Sequence, residues 1–149
     1  MQLTEKETGL LKDLKKQEQL CAQKYQKHSQ AANDEQLRNL FSEISQTENH
    51  HFKMLCDIEN GTVPTQVSGG TVKSFNATYG MASTPEKDND EYLLNDLLAA
   101  EKHASGLYDT CIFEFTAQPV REVLNSIQKA EQLHGKQLYD YMQTNGMQG

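Results

Sequence analysis

Ile44-Ser-Gln-Thr-Glu48-Asn-His-His51 is answered 83 residues later by Ile127-Gln-Lys-Ala-Glu131-Gln-Leu-His134, with the same Glu-x-x-His pair behind the same isoleucine. A lone glutamate stands 30 residues before each pair, Glu18 before Glu48 and Glu101 before Glu131. A tyrosine follows each lone glutamate by seven residues, at Tyr25 and Tyr108. Four carboxylates and two imidazoles in this order form the ligand set of a carboxylate-bridged two-metal site inside a four-helix bundle.

Around these residues the whole chain repeats. Residues 10–57 lie on 93–140 without a gap, and 13 of the 48 aligned positions are identical. The identities include Leu11/Leu94, Leu14/Leu97, Ile44/Ile127 and Leu55/Leu138, and pairs such as Leu37/Val120 and Phe41/Leu124 keep their apolar character. Two copies are too few for a solenoid. A duplicated helical hairpin, closing on its twin about a near two-fold axis, fits the pattern.

The helices follow from their period. Thr4-x-x-Glu7 reads as a capping box, and Leu11, Leu14, Glu18, Cys21, Ala22 and Tyr25 then recur at three-four spacing. Asn33-Asp34 caps a second helix carrying Leu37, Leu40, Ile44, Glu48, His51, Leu55 and Ile58, and Asn60-Gly61 stops it. A third helix is expected to start in the acidic stretch Asp88-Asn89-Asp90-Glu91, suited to the positive end of a helix dipole. Pro119 opens a fourth, which ends near Asn145-Gly146. The expected layout is one domain over 1–149: a hairpin over about 5–60, a linker over about 61–88 without sustained period, and a hairpin over about 89–145. A helix of about 25 residues is roughly 38 Å long. The linker can reach that far at about 3.3 Å per extended residue, so one long crossover between the hairpins is expected.

Composition narrows the function classes. The net charge of −7 and pI near 5.2 speak against non-specific nucleic-acid binding. No apolar run approaches the length of a membrane span, and Met1-Gln-Leu-Thr is too polar to open a signal peptide, so cytoplasmic synthesis is expected. Cys21, Cys56 and Cys111 are scattered and form no C-x-x-C pair, which excludes a rubredoxin-type or zinc-ribbon module and suits a reducing setting.

The spacing carries chemistry because residues three apart on a helix are surface neighbours. Glu48 with His51, and Glu131 with His134, occupy apolar stripes where leucine is the ordinary choice, and so do Glu18 and Glu101. Four buried carboxylates are very costly without compensation. Two divalent cations balance four negative charges. Carboxylate with imidazole suits iron first, then manganese, and admits zinc. Glu48 and Glu131 are the expected bridges; Glu18 with His51, and Glu101 with His134, are the expected terminal ligands. Tyr25 and Tyr108 are placed to hydrogen-bond ligand carboxylates of the opposite hairpin, or simply to pack. His50 and His103 fall off the stripes and are expected in solvent. His28 stays open, and Glu43 and Glu114 have no special position.

The motif set resembles the ferritin-like superfamily of di-iron and di-manganese carboxylate proteins. In its wording the chain looks closer to the Coat F family of spore coat proteins, through LTEKETGLLKDLKKQEQLCAQKYQKHSQAANDEQLRNLF near the start, and LLNDLLAAEKHASGLYDT and YMQTNGMQG near the end. That resemblance implies an all-α, ferritin-like four-helix bundle with a place in or near the spore coat, among other coat proteins. Rubrerythrins carry a C-x-x-C iron module that is missing here, so a peroxidase of this type takes its electrons from an external donor. With all six ligand positions filled, two readings stand. One is a redox centre acting on O₂ or peroxide, as ferroxidase, peroxidase or catalase. The other is a structural coat component with a vestigial or purely structural metal site. A homodimer is compatible with either.

Overall fold

Thr4 opens the first helix as a complete capping box. Its hydroxyl accepts from Glu7 N at 3.1 Å, and Glu7 Oε1 accepts from Thr4 N at 2.9 Å. The computed structural model describes residues 2–65 and 70–149. Among these, four helices and no strands occur: α1 (Glu5–Ala31), α2 (Glu35–Glu59), α3 (Pro85–Glu114) and α4 (Gln118–Thr144). This all-helical chain is consistent with a four-helix bundle. Gly61 and Gly146, at φ 88° and 62°, let the chain turn away after α2 and α4 in a conformation that a side chain would strain.

The third helix starts earlier than the acidic stretch suggests. Thr84 caps it by accepting from Lys87 N at 3.1 Å, and Pro85 takes the first position, where its missing N–H is no loss. The second hairpin therefore begins at Pro85 rather than near 89. Asp90 is fully buried. Its carboxylate accepts from the backbone N–H groups of Asn33 and Asp34 and from the Tyr79 hydroxyl, at 2.8, 3.0 and 2.7 Å. An acid expected to serve its own helix thus serves the start of α2. Asp34 is the N-cap of α2 but caps no N–H, because its carboxylate accepts from the Tyr141 hydroxyl at 2.6 Å.

α1 packs along α2 and α3 along α4, with further contacts of α1 on α3 and α2 on α4. Positions 83 apart make corresponding bonds. Ser45 Oγ donates to Ala22 O at 2.8 Å, and Gln128 Nε2 donates to Ser105 O at 2.9 Å. Lys15 of α1 pairs with Glu59 at the end of α2, whereas the other end of α1 meets the start of α3 through Asn33 and Asp90. The residues between α2 and α3 are tied down where they are described. Thr71 O accepts from Gln137, Asn76 exchanges two bonds with Gln36, and Thr78 N and Tyr79 N both donate to Asn145 Oδ1. Residues 66–69 of the expected linker lie outside the described residues.

The apolar core is divided in two. One cluster gathers Tyr25, Phe41, Leu94, Leu97, Leu138 and Tyr141, and the other Leu11, Leu14, Leu55, Ile58, Leu124 and Ile127. Fully burying one such side chain contributes about 1.5–3 kcal/mol. Between the two clusters lies a layer of charged residues.

Candidate metal centre

Glu18 of α1, Glu48 and His51 of α2, Glu101 of α3, and Glu131 and His134 of α4 all lie in this layer, each at most 2% exposed. Every helix contributes at least one, because each residue holds an inward position on its helix stripe. Their ligand atoms converge in two groups, each within 4.8 Å: Glu18, Glu48, His51 and Glu131, and Glu48, Glu101, Glu131 and His134. Glu48 and Glu131 belong to both. His134 Nδ1 lies 3.0, 3.4 and 3.5 Å from oxygens of Glu48, Glu101 and Glu131. His51 Nδ1 lies 3.3, 3.7 and 3.8 Å from oxygens of Glu131, Glu48 and Glu18. The two imidazoles lie 6.2 Å apart, near parallel.

These atoms approach one another without satisfying one another. Both oxygens of Glu48 and of Glu131, Oε2 of Glu18 and of Glu101, both ring nitrogens of His51 and Nδ1 of His134 are buried with no hydrogen-bond partner. A buried polar group left this way costs about 1–3 kcal/mol, more when charged. Such a concentration of lone pairs around one point fits a pair of cations. The remaining oxygens of the two lone glutamates are held. Tyr25 donates to Glu101 Oε1 at 2.8 Å, and Tyr108 donates to Glu18 Oε1 at 2.6 Å. Each tyrosine reaches across to the other hairpin.

Without cations the layer redistributes its protons. Burial, then the charges of Glu18, Glu131 and Glu101, push Glu48 well above the usual carboxylate range. Burial and the neighbouring Glu131 do the same for Glu101. Glu131 is raised by burial and by Glu18. Glu18 goes the other way. Burial opposes its ionisation, but the close approach of His51 and Glu48 outweighs this and holds it at about 2. Burial works against protonation of His134 too, yet the nearby carboxylates of Glu101 and Glu131 lift it to about 10. Four carboxylates cannot all ionise here unless positive charge joins them.

The other residues weighed from the sequence fall outside this layer. His50 and His103 are exposed. His28 Nε2 lies 2.7 Å from Asp96 Oδ2 on the α1–α3 face. Glu114 pairs with Lys6, and Glu43 with Lys73. All three cysteines are free. Sequence reasoning passed over Cys21 as a neighbour of the layer. Its buried thiol is pushed far up by burial and then by the charges of Glu101, Glu18 and Glu131. The signal was its position, three residues after Glu18 on the same stripe. Gln137 was also missed; it lies one turn beyond His134 and is 3% exposed.

Residues 89–148 match the Coat F domain. The match takes in most of α3 and all of α4, and so contains Glu101, Tyr108, Glu131 and His134. The match is to that domain alone and covers less than half of the chain. No curated protein and no solved structure matches the chain. Among the described residues, no helix is long and apolar enough to cross a membrane.

Proposed function

We propose that this chain is a single ferritin-like domain that holds two divalent cations in its central layer and serves as a metal-dependent redox protein of the spore coat. The observation that carries this reading is the pair of four-residue ligand groups sharing Glu48 and Glu131. Glu18 with His51 complete one position, and Glu101 with His134 the other. Iron fits the donor set first, then manganese, with zinc admissible. The ferritin-like arrangement rests on connectivity. Lys15 of α1 pairs with Glu59 at the end of α2, and Asp90 near the start of α3 bonds Asn33 just past the far end of α1, which supports a long crossover between α2 and α3 over a tight turn.

When bound, such a pair of metals supplies one-electron redox chemistry toward O₂ or peroxide. The chain's own residues prepare the place. Glu48 and Glu131 leave both oxygens free, as shared ligands must. Tyr25 and Tyr108 fix one oxygen each of Glu101 and Glu18 and leave the other aimed at the layer. The apolar clusters above and below keep bulk water from the ends. The Coat F match favours a second reading, in which the metal only stabilises a structural coat component. Metal analysis of protein purified without affinity-tag metals, followed by a peroxide-consumption and ferrous-oxidation assay, separates the two. Two equivalents of iron or manganese with turnover support the redox reading. Two equivalents without turnover support the structural one. A folded chain that takes up no metal ends the redox reading and favours a structural component whose site is vestigial.

A further inference from the structure

The repeat makes His51 and His134 equivalent in sequence, but their surroundings differ. A cavity of about 290 Å³ between α2 and α4 is lined by Thr47, Thr71, Gln137 and the Glu43–Lys73 pair, and His134 forms part of its wall. At the positions 83 residues away, Thr47 is replaced by Ala130 and Gln137 by Met54. Both are 2% exposed. A cavity of about 540 Å³ on that side reaches Met54 but is not lined by His51. Both ring nitrogens of His51 and Nδ1 of His134 are buried without partners among the described residues. Since His134 Nδ1 faces the carboxylates at 3.0–3.5 Å, the opposite edge of the ring is the one nearer the cavity.

We infer that the two halves of the centre have separate tasks: among the described residues, small molecules reach it on the His134 side, past Thr47 and Gln137, and not on the His51 side. This rests on the metal-centre reading and adds a direction and a ligand class to it. The lining offers two hydroxyls, an amide and an ion pair that neutralises itself at 2.6 Å. Such a wall suits a small, neutral, hydrogen-bonding molecule with the size and chemistry of hydrogen peroxide, and gives an anion no unpaired cation to bind. Thr47 and Gln137 are thereby positioning residues at the mouth of the site. Gln137 also holds the crossing chain in place through its 2.8 Å bond to Thr71 O.

Iodoacetamide, itself small, neutral and hydrogen-bonding, provides the test on the full metal-free chain. His134→Cys and His51→Cys are alkylated separately and each site is followed by peptide mass spectrometry. The expected result is at least tenfold faster modification at 134 than at 51. Adding Thr47→Phe, which fills the cavity, should slow His134→Cys at least fivefold and leave His51→Cys unchanged. Equal rates at the two positions, or a His134→Cys rate indifferent to Thr47→Phe, would overturn the inference. If circular dichroism shows that either histidine variant loses its helices, Thr47→Cys against Ala130→Cys asks the same question at the cavity wall, with the same expected order. Equilibrium dialysis of the wild-type chain against Co²⁺ is run alongside. Absent Co²⁺ binding refutes the metal reading, whereas two bound equivalents with equal alkylation rates refute only the sided access.

Discussion

Tyr108 on α3 donates to Glu18 on α1 at 2.6 Å, and the bond repeats itself 83 residues out of phase, with Tyr25 donating to Glu101 at 2.8 Å. All four residues are buried. Each hairpin thus orients the lone glutamate of the other, and the layer depends on both hairpins being in register. The tyrosines stay protonated. Burial, then the charges of nearby glutamates, drive both hydroxyls well above their ordinary range.

Tyr25→Phe combined with Tyr108→Phe should therefore weaken metal binding without unfolding the chain. Removing partners that orient ligands typically lowers metal affinity by about 10–100-fold. The rings remain to fill the core, so helix content should persist. Competition titration with a chelating indicator measures the affinity. An unchanged value would reduce these tyrosines to packing.

Metal-free stability should fall as pH rises. Glu48, Glu101 and Glu131 titrate above the ordinary 4.5 in the folded state. Their contribution is full below about pH 4.5 and is lost as pH climbs through the raised folded values. His134 has the same sign: full below about 6.5, and lost toward about 10. Glu18 has the opposite sign, with a contribution present above 4.5 and lost as pH falls toward about 2. Urea denaturation at pH 5 and pH 8 should show the metal-free chain weaker at pH 8. Metal reverses the trend, because cation binding displaces protons and tightens with pH. A metal-free chain more stable at pH 8 than at pH 5 would contradict this layer of protonated glutamates.

The six layer residues and four helices were legible because duplication writes the same constraint twice, and because a charged residue on an apolar stripe is conspicuous. The end of the bundle was not. Asp90 read as a first-turn acid, since nothing local reveals that Asn33 and Asp34 from one segment and Tyr79 from another converge on it. Thr84-Pro85 was a helix start with the right chemistry, overshadowed by the acidic run beside it. The difference between the His51 and His134 sides depends on substitutions at Met54, Ala130, Thr47 and Gln137, which matter only once Thr71 and Lys73 are seen to line one cavity with Thr47 and Gln137.

Asp90→Ala should consequently destabilise the fold more than an exposed acid would. It removes the acceptor of the buried Asp34 N–H, at about 1–3 kcal/mol, and of the part-buried Asn33 N–H and Tyr79 hydroxyl, at less. A loss of about 2 kcal/mol or more is expected in urea denaturation. Metal stoichiometry of the surviving folded fraction should stay at that of the wild type, because Asp90 lies in the end network and not in the layer. A loss under about 1 kcal/mol would mean the network relaxes around the gap.

Glu48→Ala with Glu131→Ala removes the two residues common to both ligand groups. Opposing effects decide what remains. The variant loses whatever folding energy bound metal supplies. It also removes two carboxylates that burial and mutual repulsion force to hold protons or pay for desolvation. Cavities left by the shortened side chains work against it, typically by a few kcal/mol. The two apolar clusters on either side are untouched. The expected outcome is a helical chain with no bound metal and no peroxide or ferrous-ion turnover. Circular dichroism, metal analysis and the two assays on wild type and variant check it together. Equal turnover in both proteins would remove the layer from the chemistry, and a melted variant would assign the metal a chiefly structural role.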